Sequence, residues 1–147
     1  MCTFFMEFNM EKYFDLLYKL ALKAFKNGDI PVAAILIKND KIMASGYNNR
    51  HKKGYVLGHA EINAIIAAEK KLKDFRLDGY ILITTLKPCK MCQAVIEASR
   101  VSKVYYILDG KEGKSYPQVN YEKLDKIDQK FVKNYSNLFN EFFQNIR

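Results

Sequence analysis

Ile30-Pro31-Val32-Ala33-Ala34-Ile35-Leu36-Ile37 is an almost unbroken apolar run. A strand that faces water on one side alternates polar and apolar residues, whereas a strand buried on both faces does not. The run therefore predicts a strand covered on both faces, in a sheet with helices on each side. Asn39-Asp40 turns the chain, and Lys41 to Tyr47 returns as a second strand, making an antiparallel hairpin. Upstream, Tyr13, Phe14, Leu17, Leu20, Ala21, Ala24 and Phe25 recur at three- and four-residue spacings and predict an amphipathic helix over 11–27. Asn27-Gly28-Asp29 supplies its stop.

Downstream, residues 48–58 are polar and basic and read as a loop. Alanines at 60, 64, 67 and 68 and isoleucines at 62, 65 and 66 predict a helix from near His59, packed closely on the sheet. Residues 79–84 and 101–108 predict the third and fourth strands, and Pro88 marks a helix start between them. Residues 109–120, with Gly110, Gly113 and Pro117, read as a loop, and 121–127 as a short fifth strand. From Asp128 on, Phe131, Tyr135, Leu138, Phe139, Phe142 and Phe143 predict a closing amphipathic helix. The expected fold is α/β: a mixed sheet of about five strands between helices on both faces. The expected organisation is a single domain over 1–147, with residues 1–10 as a candidate disordered extension and Met6 and Met10 as alternative start residues.

Two short stretches of this scaffold carry chemistry: His59-Ala60-Glu61 and Pro88-Cys89-Lys90-Met91-Cys92. One histidine and a Cys-x-x-Cys pair make three borderline-soft ligands, the count of a catalytic zinc site that keeps its fourth position for water. A structural zinc needs a fourth side chain, and only Cys2 and His51 remain of their types. Cys89 and Cys92 fall at i and i+3 in the first turn of a helix, so both sulfurs reach one metal, and the helix N-terminus favours thiolate. Glu61, two residues beyond His59, is placed to move protons rather than to ligate. His-x-Glu followed by Pro-Cys-x-x-Cys is the signature of zinc-dependent nucleobase deaminases, in which the glutamate serves water, ring nitrogen and departing amine in turn.

Composition bounds the rest. The chain has 147 residues, 49% hydrophobic and 14% aromatic, enough for one proper core. Three cysteines make no disulfide framework, which suits a reducing cytoplasm. The first ten residues carry Glu7 and no basic segment, so no secretory signal is expected, and no apolar run reaches membrane-spanning length. The net charge of +8 is uneven: residues 48–103 hold 11 Lys/Arg against 5 Asp/Glu, a net of +6. Arg50, Lys52 and Lys53 precede His59, and Lys87 and Lys90 flank Pro88-Cys89, a basic rim suited to a polyanion. Solvated surface lysines are the plainer reading of each.

With these motifs the chain resembles the cytidine deaminase superfamily, most of all the bacterial tRNA-specific adenosine deaminases. The resemblance covers residues 11–108 and, loosely, the last helix. Beyond the zinc motif it includes Ile30-Pro31-Val32-Ala33-Ala34, Gly46-Tyr47-Asn48 and Ser99-Arg100. It implies a three-layer α/β/α fold and one Zn²⁺ per chain on His59, Cys89 and Cys92, with Glu61 catalytic. It further implies a cytoplasmic homodimer acting on the wobble adenosine of a tRNA anticodon loop. Substrate contacts are expected from Asn48, Ile30 and Ala60, and phosphate contacts from Arg50, Lys52, Lys53, Lys87 and Lys90. The plainer readings are a turn cap for Asn48, a core residue for Ile30, and an exposed loop residue for His51, whose place in a basic loop also allows phosphate contact. The chain departs from the family pattern at Lys87, where Glu is usual, at Leu57-Gly58 for Thr-Ala, at Gln93 for a small residue, and in a short segment after 108. The competing readings are a deaminase of free guanine or cytosine, a zinc-bearing binding module, and a redox Cys-x-x-Cys protein. The last two leave Glu61 and the open metal position without a use.

Overall fold

The apolar run enters the sheet only at Ala33 in the structure, a computed structural model that describes residues 2–54, 56–110, 119–124 and 127–145. In chain order the elements are α1 (Cys2–Lys26), β1 (Ala33–Lys38), β2 (Lys41–Tyr47), α2 (Arg50–Lys53), α3 (Ala60–Leu72), β3 (Ile81–Leu86), α4 (Lys90–Ala98), β4 (Lys103–Leu108), β5 (Asn120–Lys123) and α5 (Gln129–Asn145). Pro31 has no N–H to give a ladder, and the Val32 N–H turns back to the Ile30 carbonyl at 2.8 Å. The Ala33 N–H donates instead to Thr85 Oγ1 at 3.1 Å. From there to Ile37 every residue is buried.

The five strands form one sheet in the order β2-β1-β3-β4-β5. β1 is antiparallel to both β2 and β3, while β3–β4 and β4–β5 are parallel. Four strands therefore run one way and β1 the other. Asn39 and Asp40 make the hairpin turn with φ of 51° and 63°, the left-handed pair that matches strand twist. Ala33, Ile35 and Ile37 face one layer of core with Tyr13, Leu17, Phe131 and Tyr135. Ala34 and Leu36 face the other, with Ala60, Ala64, Ile65 and Ile96. α1 and α5 thus cover one face, joined by the stacked rings of Phe14 and Phe131 at 4.6 Å; α3 and α4 cover the other. This is the expected α/β/α sandwich.

Several boundaries differ from expectation. α1 begins at Cys2 rather than residue 11, so residues 2–10 continue the helix where an extension was expected. No glycine or proline interrupts that stretch. The predicted loop 48–58 contains the single turn of α2, closed by Gly54 at φ 75°. Pro88 lies one residue before the N-cap, Cys89, and not in the first turn of α4. Within the predicted loop 109–120, residues 111–118 lie outside the described residues, as do 125 and 126 of the predicted fifth strand.

Candidate active site

Because β2 and β3 run in the same direction, the helices that follow them, α3 and α4, begin at the same edge of the sheet. His59 occupies the N-cap position of α3 and Cys89 that of α4. Neither side chain bonds its own helix; both are turned to the gap between the two N-termini. His59 Nδ1 lies 3.8 Å from Cys89 Sγ and 3.5 Å from Cys92 Sγ. A tetrahedral zinc with Zn–S near 2.3 Å and Zn–N near 2.0–2.1 Å sets N···S edges of about 3.5–3.6 Å. All three ligand atoms fall within 4.8 Å of one another, and among the described residues these three alone make the group. The residues fit one zinc ion, and among the described residues no fourth His, Cys, Asp or Glu joins the group.

The protonation of the ligands points the same way. The Cys89 thiol is pulled down to about 3 by hydrogen bonding from Cys92 and then from His59. Cys92 is pushed far up, first by its bond to Cys89 and then by burial. Two neighbouring sulfurs resist ionising together in a buried place, and a dication removes that obstacle. Glu61, in the first turn of α3, is 4% exposed. Its carboxyl is pushed up to about 7, chiefly by burial.

Polar side chains fix the surrounding frame. Asn48 is buried, and its Oδ1 accepts the Ala60 N–H at 2.8 Å. The oxygen thus serves as a cap on α3, which leaves Nδ2 as the end of the amide that can meet a ligand. Ala60 is fully buried, and its N–H is engaged in that bond. Ile30 is half-buried on the α3 side of the sheet.

Three residues not expected to serve the site also hold the frame. Asn63 Nδ2 donates to the Tyr47 carbonyl and to Asn49 Oδ1, both at 2.9 Å. Gln93 is fully buried, and its Nε2 donates to the Pro88 carbonyl at 2.8 Å, bracing the turn that carries Cys89. Asp29 Oδ1 accepts the His51 N–H at 2.7 Å. A lone polar residue in an apolar helical face was the available signal for Asn63 and Gln93.

The structure divides the five basic residues. Arg50, Lys52, Lys53 and Lys90 are exposed, and the charge of Arg50 is felt at His59. Lys87 is half-buried with its Nζ 5.6 Å from the centre of the Tyr106 ring. The departure at Gly58 has a steric reason. A Cβ there would stand 2.6 Å from the Arg50 nitrogen, so the missing side chain lets the start of α2 lie directly on the segment that leads into α3.

The model of the family described as the cytidine and deoxycytidylate deaminase zinc-binding region matches residues 8–108. The chain belongs to that family. It is a zinc-dependent hydrolytic deaminase, with the three ligands where the family's chemistry requires them. The deaminase is 32% identical over 150 residues, 97% of this chain and 99% of the relative, to the tRNA-specific adenosine deaminase of Buchnera aphidicola (subsp. Schizaphis graminum). Among solved structures it is similar to one from a study of A-to-I editing by tRNA:A34 deaminases at the wobble position. The TM-score there is 0.68 at 27% identity, over 77% of this chain and 99% of that one. It is also similar to the guanine deaminase of Bacillus subtilis, with a TM-score of 0.62 at 34% identity, over 67% of this chain and 64% of that one. Among the described residues no helix is long and apolar enough to cross a membrane.

Proposed function

We propose that this deaminase converts the wobble adenosine of a tRNA anticodon loop to inosine and releases ammonia. The observation that carries the reading is the 32% identity to the Buchnera tRNA-specific enzyme along nearly the full length of both chains. The exposed cationic side chains of α2, next to the metal ligands, support it, because phosphate contacts supply much of the affinity for RNA. A loop base is already partly unstacked, so drawing it into a buried site is cheaper than extracting it from a duplex.

His59, Cys89 and Cys92 would hold the zinc ion, which when bound would lower the pKa of a coordinated water. Glu61 accepts the proton of the attacking water. It passes that proton to N1 of the adenine ring as C6 is attacked, then takes the second proton from the hydroxyl now on C6 and gives it to the amine, so that the C–N bond breaks, ammonia leaves and C6=O forms. Adenosine and water thus become inosine and ammonia. Burial raises the Glu61 carboxyl above the ordinary carboxylate range, the direction that suits a residue that must give protons as well as take them. Asn48 Nδ2 donates to the nucleoside, its amide oriented by the bond to Ala60, and Ile30 gives the base an apolar wall. Arg50, Lys52, Lys53, Lys87 and Lys90 meet backbone phosphate. A tRNA substrate places the enzyme in the cytoplasm, and we extend the proposal to a homodimer, for which light scattering should read twice 17.1 kDa.

The likeness to the Bacillus subtilis guanine deaminase keeps a free-base reading in view. The two separate when the purified protein is incubated with unmodified tRNA, guanine and cytosine, with inosine read by mass spectrometry and ammonia by release assay. Inosine in tRNA is the expected product. Ammonia from guanine or cytosine with no inosine in tRNA would replace the RNA reading with the free-base one.

A further inference from the structure

Helix α2 is a single turn, Arg50-His51-Lys52-Lys53, with no buried residue. A turn this short does not hold itself in water, and three like charges on one turn repel. No apolar burial anchors it, yet it lies against the start of α3. Polar contacts hold it there. The Asn49 N–H donates to the Gly58 carbonyl at 2.9 Å, and Asn49 Oδ1 accepts from Asn63 at 2.9 Å. The third contact reaches across the chain: Asp29 Oδ1 accepts the His51 N–H at 2.7 Å. Asp29 is 1% exposed, and its second oxygen is buried with no hydrogen-bond partner. The His51 N–H lies in the first turn, where a helix has no internal partner for it.

We propose that Asp29 is a positioning residue: its buried carboxylate fixes α2, and thereby holds Arg50, Lys52 and Lys53 beside the metal site without itself touching substrate. A charge-assisted bond to a backbone N–H is among the stronger single hydrogen bonds, and it carries the only negative charge among the three contacts. An arm ordered before binding does not have to be ordered during binding, so its effect falls on affinity for the polyanion rather than on the chemical step. The consequence for RNA rests on the substrate reading above; the tether itself does not.

The test compares wild type, Asp29→Ala and Asp29→Asn as zinc-loaded protein, by amide hydrogen exchange at His51 and by kinetics on unmodified tRNA. Asp29→Ala should expose the His51 amide to exchange and raise KM about tenfold, with kcat held within about twofold, as expected when binding rather than the transition state is weakened. The slope of log affinity against log salt should flatten by about 0.7–0.9 for each phosphate that the freed turn no longer meets. Asp29→Asn keeps the accepting oxygen but not the charge, so it should fall between wild type and Asp29→Ala in exchange and in KM. Unchanged exchange and KM in Asp29→Ala overturn the tether, and so does an Asp29→Asn variant as impaired as Asp29→Ala. Should Asp29→Ala fail to fold, exchange at His51 that is slow in wild type and faster in Asp29→Asn supports the tether, and fast exchange in wild type or equal exchange in the two overturns it. If wild type makes no inosine from tRNA, the substrate reading fails while the exchange measurement still decides the tether.

Discussion

Glu61 and the two cysteines share one small volume and yet have separable duties. Cys89→Ala and Cys92→Ala each leave two ligands at a site built for three, and zinc content should fall well below one per chain in both, by metal analysis of the purified proteins. A full zinc complement in both would overturn the ligand assignment. Glu61→Gln removes the proton carrier and keeps its shape, so zinc content should stay near one per chain. Turnover should fall by about 10²–10⁴-fold or more, since one residue serves several transfers. Loss of zinc from Glu61→Gln would make Glu61 a ligand instead. The ligands were legible because spacing alone places them: a Cys-x-x-Cys at a helix start can converge in only a few ways. The frame was not. The bond from Asp29 to His51 spans 22 positions and that from Asn63 to Asn49 spans 14, distances over which neither periodicity nor motif carries information.

The metal gap exists because two helices start at the same edge of one sheet, so anything that moves α3 moves His59 away from the cysteines. Gly46 in β2 is where α3 comes closest. A Cβ there would stand 2.4 Å from the Ala60 carbonyl oxygen and 2.6 Å from the Ala64 nitrogen, both rigid helical backbone. Gly46→Ala should therefore cost about 1–3 kcal/mol, as overpacking does. It should lower both Tm and zinc content, whereas a zinc-replete protein with unchanged Tm would show that α3 yields without cost. The elements themselves were readable from the sequence where hydrophobic period is strong, as in β1 and α5. Their ends were less so. The first strand loses Ile30–Val32 because Pro31 cannot join a ladder, and α2 was not foreseen because one polar turn has no period to read.

Charge acts across the whole molecule. Nothing local in the sequence orders the strands as β2-β1-β3-β4-β5, but that order sets the starts of α3 and α4 at one edge and so brings Arg50, Lys52, Lys53, Lys87 and Lys90 to the metal site, while Lys70, Lys71, Lys73, Arg100 and Lys103 lie toward the opposite ends of these helices and strands. If the substrate is RNA, this concentration of charge governs binding through released counterions, and affinity should fall steeply with salt. Lys52 and Lys53 are exposed on α2 and lie outside the zinc group, so replacing both with alanine should leave zinc content unchanged. It should weaken binding to tRNAs of every sequence alike, because phosphate contacts position without reading bases. The slope of log affinity against log salt should become shallower by about 0.7–0.9 for each phosphate left without its lysine. Filter binding of wild type and double variant across a salt series measures both quantities. A neutral free base offers no phosphate, so an enzyme built for one would show little salt dependence and the double variant would turn over normally. Parallel salt slopes for the two proteins on tRNA would place the phosphate-binding side chains elsewhere on the surface than α2.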